Sequence, residues 1–347
     1  MVAGGRVRSF AFPTADTLVS GATHTADSVI LWDLPTGEKI KSFKEPGVEF
    51  HVMSLAATHD GARLVVGGEA YDGNAVAAAK ADPAVKKPYE KVGKAECDLR
   101  VWDRGSGKIM RRLPGDGQTV LCVDVSRDDR FVAAGSASGM LLICGVSAAG
   151  EPRKIKPSAS GLPVGGVRFS ADGKTLAVAI AGETTGSVLL YSTADWSKRR
   201  SYDLDNAGGP VDFLPEGGKV VAAHPRSIAF FGPGAKPIGS VACGNAAGRH
   251  TRINALSISH DGRWALAAEG VEYDRVTAAM LLDPAAGVRI LNLKTSEQAG
   301  FLSGHADAVW QAAFAPDGKS IITCSADGTI RVWELPAAMS ATPAPKP

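Results

Sequence analysis

The chain has 347 residues, of which 45% are hydrophobic, and its 38 Lys and Arg residues nearly balance 36 Asp and Glu residues, for a formal net charge of +2. This balance excludes the strong positive field that is typical of proteins that bind nucleic acid or membrane surfaces. No apolar run approaches the roughly 20 residues that span a bilayer, and residues 1–6 lack the apolar core of a secretory signal. We therefore expect a cytoplasmic protein with no nucleic-acid or membrane partner.

A repeat of about 44 residues runs along the whole chain. An apolar run followed by a tight polar turn recurs, with the turns at Asp16, Asp60-Gly61, Asp128-Asp129, Asp172-Gly173, Glu216-Gly217, Asp261-Gly262 and Asp317-Gly318. Glycine at such a turn supplies the positive φ that a hairpin needs. Each turn therefore predicts a pair of antiparallel strands, and the histidines beside two of them, His59 and His260, are predicted to be turn residues.

A second landmark follows each hairpin, because a third apolar segment ends in a bulky residue. These residues are Trp32, Trp102, Cys144, Tyr191, Phe231, Leu291 and Trp333. A turn and a short strand of mixed polarity come next. Each unit is therefore predicted to form four short antiparallel strands.

The Trp32-Asp33 and Trp102-Asp103 dipeptides, with Gly304-His305 at the start of the last unit, resemble the WD40 repeat family. The resemblance implies an all-β fold, a seven-bladed β-propeller of four-stranded antiparallel blades, in one domain over residues 1–338 with a Pro-rich tail at 343–347. The low charge and the Asp-Gly-Lys type of turn resemble bacterial members. The predicted units span about residues 6–46, 48–116, 118–157, 162–205, 208–243, 251–303 and 304–342.

The resemblance also implies a structural tetrad in the last unit. Its members are His305, Asp327, Trp333 and either Thr323 or Ser325. The other six units lack the Gly-His pair, so we expect their blades to depend on packing alone. The chain begins at an innermost strand, which predicts a ring that closes without strand exchange and a weak outer strand at about residues 339–342. A partner strand could cover that edge.

The second and sixth units carry insertions between their second and third strands, at about residues 69–96 and 269–286. In the family this connection lies on the usual recognition face. One hypothesis is a partner-binding rim with aromatic anchors and charged neighbours, formed by Tyr71, Asp72, Lys86, Lys87, Tyr89, Glu272, Tyr273 and Asp274. The alternative is that the tyrosines pin each loop to its own blade and the carboxylates cap turns.

Catalytic and metal-binding motifs are missing from the sequence, which predicts no catalytic, cofactor or metal site. Five cysteines without a CxxC pair are expected to be small buried hydrophobes: Cys97, Cys122, Cys144, Cys243 and Cys324. We therefore expect a non-enzymatic protein-interaction scaffold or regulatory propeller, either monomeric or a module of a larger protein. The alternative is a propeller enzyme, or a small-molecule or metal-dependent sensor, that uses acidic loop residues over the central channel.

Overall fold

Seven antiparallel sheets follow one another along the chain and form the blades of a β-propeller. The computed structural model describes residues 1–74, 76, 99–113, 115–147, 150–182, 185–205, 209–224, 227–234, 236–243, 252–274, 279–282, 287–336 and 339. Within blades 1 to 5 the strand order is the order of the sequence, from the innermost strand to the outermost. The prediction of an all-β propeller with seven blades is confirmed.

The first four blades each contain four strands. Blade 1 comprises β1 (Arg6–Thr14), β2 (Thr17–Thr23), β3 (Val29–Asp33) and β4 (Lys39–Phe43). Blade 2 comprises β5 (Val48–Ala57), β6 (Arg63–Asp72), β7 (Leu99–Asp103) and β8 (Ile109–Leu113). Blade 3 comprises β9 (Val120–Val125), β10 (Phe131–Ser136), β11 (Leu141–Gly145) and β12 (Arg153–Ile155). Blade 4 comprises β13 (Val164–Phe169), β14 (Thr175–Ile180), β15 (Thr185–Ser192) and β16 (Lys198–Asp205).

The remaining blades differ in strand number. Blade 5 comprises β17 (Val211–Phe213), β18 (Val220–His224), β19 (Ser227–Phe231) and β20 (Pro237–Ala242). Blade 6 comprises β21 (Arg252–Ile258), β22 (Trp264–Asp274), β23 (Ala279–Leu282), β24 (Gly287–Asn292) and β25 (Glu297–Ser303). Blade 7 comprises β26 (Val309–Phe314), β27 (Ser320–Ser325) and β28 (Ile330–Glu334). Blade 6 therefore has an additional strand, and blade 7 has three strands within the described ranges. The predicted outer strand of blade 7 lies outside them from residue 340 onward.

The burial of each strand follows its radial position. The second strands β10, β14 and β27 are buried at five of their six positions, because both of their faces pack against neighbouring blades. The outermost strands have one open edge, and β20 is exposed at five of its six positions. This gradient explains why the second strands read as continuous apolar runs while the outer strands are of mixed polarity.

The hydrophobic core is divided into seven clusters, each of which joins two neighbouring blades. One cluster joins blade 7 to blade 1 through Ile322 and Ile330 on one side and Phe10 and Trp32 on the other. Close approach between blades also fixes small residues. A Cβ atom on Gly135 in β10 would lie 2.4 Å from a methyl carbon of Val164 in the next blade. The seven junctions close the ring.

Polar side chains join the inner strands to one another around the central channel. One such residue lies in each of the seven inner strands, and they are Ser9, Ser54, Asp124, Arg168, Asp212, Asn254 and Gln311. Most of them bond the backbone of the adjacent blade. Asp124, for example, accepts the Phe169 amide at 2.7 Å. Backbone groups on the inner strands are satisfied in this way between blades as well as within them.

The junction between the last and first blades is closed by backbone pairing and by Gln311. Residues 1–3 pair with residues 328–330, where Val2 forms an antiparallel bridge with Thr329 and the Ile330 amide donates to the Met1 carbonyl at 3.0 Å. The prediction of closure without strand exchange is wrong. The contact joins chain segments that are far apart in sequence, so no local pattern indicates it.

Substitution of Gln311 tests the closure. Its side-chain oxygen accepts the Phe10 amide at 2.8 Å and its nitrogen donates to the Phe10 carbonyl at 3.0 Å. Gln311→Leu leaves both Phe10 groups without these bonds, so we expect the free energy of unfolding to fall by about 1 to 3 kcal/mol. Urea unfolding measures the change, with Gln118→Leu as the control at an exposed glutamine. Equal effects of the two substitutions would contradict this role of Gln311.

A hydrogen-bonded chain of side chains crosses the last blade. His305 Nδ1 lies 2.8 Å from Asp327 Oδ2, and its Nε2 lies 2.7 Å from Thr323 Oγ1. The Trp333 indole donates to the same Thr323 oxygen at 2.8 Å. Since that oxygen accepts from the indole, its own proton is available to His305 Nε2, and the imidazole carries its proton on Nδ1 toward Asp327. The structure thus brings together the four residues of the proposed tetrad, with Thr323 as the hydroxyl member.

Ser325, the alternative hydroxyl residue, lies outside this network, and blade 1 contains only part of an equivalent network. Ser325 donates instead to the Asp307 carbonyl at 2.9 Å. Blade 1 keeps part of the same arrangement, because the Trp32 indole donates to Ser20 Oγ at 2.8 Å. The expectation that the other six blades depend on packing alone is therefore wrong for blade 1.

Acid lowers the stability that this chain of side chains contributes. Burial lowers the pKa of His305 below its ordinary 6.5, although Asp327 opposes the shift. Burial raises the pKa of Asp327, but hydrogen bonds from Thr329 and His305 outweigh burial and lower it to about 2. Both groups bind protons more readily in the unfolded chain. Stability is therefore lost as pH falls through 6.5 for His305, and as it falls from 3.8 toward about 2 for Asp327.

This pH dependence is measurable by urea unfolding at about pH 8 and about pH 5. We expect the parent protein to unfold at lower urea at the acid pH, and we expect a smaller difference for His305→Gln, which cannot titrate at this position. An identical pH dependence in both proteins would contradict the assignment of His305.

Candidate interaction face

One face of the propeller carries both the starts of the inner strands and the ends of the second strands. In blade 1 this is seen in the pairing of Arg6, at the start of β1, with Thr23, at the end of β2. The connections between second and third strands also lie on this face, which we call the top face. Both insertions of the sequence therefore emerge from it.

The two insertions begin as extensions of second strands. β6 and β22 have 10 and 11 residues, whereas β10 and β14 have 6 each. In blade 2 the extension pairs with β5, where Val48 lies opposite Asp72. In blade 6 it pairs with the additional strand β23, where Asp274 lies opposite Ala279. Strand pairing therefore supports both extensions on the top face.

A network of polar side chains supports the extension of blade 2. The hydroxyl groups of Tyr71 and Thr119 both donate to the Glu69 carboxylate. The centres of the Tyr71 and His51 rings lie 4.7 Å apart. His51 Nε2 in turn lies 3.0 Å from Glu49 Oε1. Thr119 belongs to the approach to blade 3, so the network ties the extension to the neighbouring blade.

The predicted rim residues lie in different settings. Tyr71 is only 9% exposed, so it supports the extension from below, while the exposed Asp72 accepts the Asn74 amide at 2.9 Å. Lys86, Lys87 and Tyr89 lie outside the described residues, as does Cys97. The structure places the backbone of Glu272, Tyr273 and Asp274 in β22 and does not describe their side chains. The role of this set in binding stays a prediction.

An ion pair lies at the base of the extension in blade 6. Arg289 Nε lies 2.7 Å from Glu269 Oε1, and the two side chains are 8% and 2% exposed. Arg289 also donates to Gln298 Oε1 at 2.6 Å, and its guanidinium lies over the ring of Phe301. The carboxylates at the bases of both extensions, Glu69 and Glu269, thus have hydrogen-bonding partners within the fold.

Basic side chains at the start of blade 1 were missed by the sequence reasoning. Arg6 and Arg8 lie in β1, and His24 directly follows β2 with a left-handed backbone at φ 61°. The His24 ring lies 4.5 Å from that of His51. The only local signal was the Arg-x-Arg sequence at the start of the first strand.

Other chemical groups are limited in the part of the chain that the structure describes. No three His, Cys, Asp or Glu side chains there converge on a possible metal site, and no helix there is long and apolar enough to cross a membrane. The four described cysteines are buried, and burial raises the pKa of Cys122, Cys144 and Cys243 to about 12. These thiols are therefore poor nucleophiles in the folded protein.

A comparison with known protein families matches the segment that contains the hydrogen-bonded side chains of the last blade. A family model described as "WD domain, G-beta repeat" matches residues 107–143 and 296–334, and the second segment contains all four of these residues. These two segments of the chain thus match the WD40 repeat. The Trp32-Asp33 and Trp102-Asp103 dipeptides lie outside the two matched segments.

Several curated proteins resemble this WD40 chain. The "Serine-threonine kinase receptor-associated protein" of Mus musculus is 24% identical over 242 residues, 69% of this chain and 61% of that protein, and its Homo sapiens counterpart is 25% identical over the same shares. The chain thus matches about three-fifths of the length of these relatives. A "Probable cytosolic iron-sulfur protein assembly protein CIAO1 homolog" of Chlamydomonas reinhardtii is 49% identical over 39 residues, 11% of each chain. All three are eukaryotic, and the resemblance to bacterial members stays a prediction.

Proposed function

We propose that this WD40 propeller is a non-enzymatic protein-interaction scaffold that binds its partner through the top face. The observation that carries the proposal is that both strand extensions, at the ends of β6 and β22, project from that one face. Rigid, paired strands lose little conformational entropy when a partner binds. The names of the relatives, a receptor-associated protein and an assembly protein, support a role that involves other proteins.

The proposed binding residues belong to the two insertions of the sequence and to the strand extensions that begin them. They comprise Asp72, Lys86, Lys87, Tyr89, Glu272, Tyr273 and Asp274, with Tyr71 as the support beneath. The partner is a protein, and the propeller acts as a monomer or as a module of a longer chain. A cytosolic location belongs to this proposal, since one relative is named as cytosolic.

Deletion of the first insertion tests the proposal. Residues 74–97 are replaced by a short Gly-Ser turn between β6 and β7, and proteins captured from host lysate by the tagged variant are quantified by mass spectrometry. We expect the deletion to remove the specifically captured proteins while circular dichroism still shows the fold. The control is Lys174→Gln, which removes an exposed charge from a turn on the opposite face. Full capture by the folded deletion variant would refute the loop as the site.

A further inference from the structure

Three basic side chains meet on the top face beside the mouth of the channel, and we call them the basic cluster: Arg6, Arg8 and His24. Arg6 is exposed at the start of β1. Arg8 is the additional residue of a bulge in that strand, where the pairing shifts between Val7 and Ser9. Bulges redirect side chains and are frequent next to functional sites. In the described part of the chain neither arginine forms an ion pair.

Arg8 is held rigidly but is incompletely bonded. Its guanidinium lies 3.7 Å from the centre of the Trp310 ring, and Trp310 is itself the additional residue of a bulge in β26. Stacking on the flat face of the indole leaves the guanidinium edge to donate hydrogen bonds in its plane. Its Nε is buried and has no hydrogen-bond partner in the described structure. Because Nε is shielded from solvent, an external anion meets the remaining N–H groups of the guanidinium, which have no hydrogen-bond partner in the described structure.

Electrostatic repulsion between the basic side chains of the cluster also favours the binding of an anion. Burial and then the charge of Arg6 lower the pKa of Arg8 to about 10, although Asp307 opposes them. The pKa of His24 is lowered by burial, by His51 and by both arginines, with Glu49 opposing. Cations that depress one another's pKa values remain in an unfavourable field that a bound anion relieves.

Two carboxylates, those of Glu49 and Asp307, lie close to the cluster and also bond other groups. Glu49 Oε1 lies 3.0 Å from His51 Nε2, and the Asp307 carboxylate accepts the Ala308 amide at 2.6 Å. Both carboxylates keep their charge, but the charge of Arg6 outweighs that of Asp307 at Arg8 and that of Glu49 at His24, so the local field at the cluster is positive. An anion that docks here is favoured by the local field, and the protein as a whole does not attract anions.

We propose that Arg6, Arg8 and His24 form a binding site for an acidic segment of the partner protein, whose Glu or Asp carboxylates dock against the channel mouth between blades 7 and 1. This assignment rests on the proposed function, because a protein partner supplies carboxylates. Two arginines and an imidazole from two chain segments offer donors to several carboxylates of one segment, whereas a single small anion reaches fewer of them. Arg8, whose guanidinium is supported by the Trp310 ring, is the anchor.

Fluorescence anisotropy with a labelled oligoglutamate peptide tests the site on the purified full chain. We expect binding that weakens with salt, and we expect Arg6→Gln and Arg8→Gln each to weaken it about 10- to 100-fold, the range for a hydrogen bond to a charged group. Lys174→Gln, at an exposed lysine of the opposite face, is the matched control and should leave the affinity unchanged. Arg6→Gln guards against misfolding, since Arg6 is exposed and outside the core.

A second readout follows the imidazole of His24 by NMR during titration. Docked carboxylates should raise its pKa from the lowered value of the free protein, while inorganic phosphate alone should cause at most a small shift. No oligoglutamate binding, equal binding by the two arginine variants and the parent, or binding of phosphate in place of the peptide would each overturn the assignment. The peptide assay needs no lysate partner, so its failure is distinguishable from failure of the scaffold role in the pull-down.

Discussion

Replacement of Thr323 by valine is expected to lower the free energy of unfolding by about 2 to 4 kcal/mol, although the two side chains have nearly the same shape. Thr323 is fully buried, and its single oxygen bonds both His305 and Trp333. Valine leaves the imidazole nitrogen and the indole N–H buried without partners, at about 1 to 3 kcal/mol each. Urea unfolding followed by tryptophan fluorescence measures the change.

The matched control is Ser20→Ala in blade 1. The Ser20 hydroxyl holds one indole, that of Trp32, and has no histidine partner. We therefore expect about half the effect of Thr323→Val, or about 1 to 2 kcal/mol. A cost for Thr323→Val that is no larger than that of the control would show that the chain of four side chains adds nothing beyond a single bond.

The largest effect is expected at the ion pair of blade 6. Arg289→Met removes the guanidinium and leaves the Glu269 carboxylate, which is 2% exposed, without its cation. Breaking one partner of a buried pair costs about 3 to 5 kcal/mol. Because Glu269 lies at the base of the β22 extension, the loss should also loosen that extension in hydrogen exchange.

The double variant Glu269→Leu with Arg289→Met separates charge from packing. It removes both buried charges, so we expect it to regain most of the stability that Arg289→Met loses. The control is Lys219→Met, which breaks an exposed pair with Glu216 and should cost at most about 1 kcal/mol. If the double variant is no more stable than Arg289→Met, the unpaired carboxylate is not the cause of the loss.

The local chemistry of the repeat made the hairpins predictable, and the resemblance to the WD40 family implied the propeller. Asp-Gly turns such as Asp172-Gly173 and Asp261-Gly262 specify hairpins through a few adjacent residues, and the structure has left-handed glycines at both. The four tetrad positions were implied by the resemblance to the WD40 family, and all four lie within one unit. Hairpin turns depend on residues that are adjacent in sequence, and the repeat contains several copies of them.

Contacts between distant parts of the chain could not be predicted in this way. Gln311 bonds Phe10 across 301 positions, and Arg8 meets Trp310 only because the ring closes. Differences between the repeats at equivalent turn positions could not be predicted from the sequence either. Trp196 adopts φ 57° at a turn where other blades have Gly37 and Gly107, and its ring packs on Phe131 at 5.1 Å. The residue type at such a position depends on tertiary packing, which the local sequence does not indicate.

The sequence predicted where the two insertions lie but not the contacts that support them, and their role in binding stays a prediction. The lengths of the insertions placed them on the top face, because extra residues between second and third strands have to emerge there. The burial of Tyr71 and its bond to Glu69 depend on Thr119 and His51 from other segments. The basic cluster likewise joins two segments whose sequences carry no shared pattern.

Hydrogen exchange of the protein with and without its captured partner tests the central claim most directly. If the top face is the binding surface, we predict slower exchange on binding at the start of β1, at the end of β6 and at the end of β22, with unchanged exchange in the turns of the opposite face, such as residues 171–174. Protection confined to that opposite face, or to the outer edge of β28, would contradict the account.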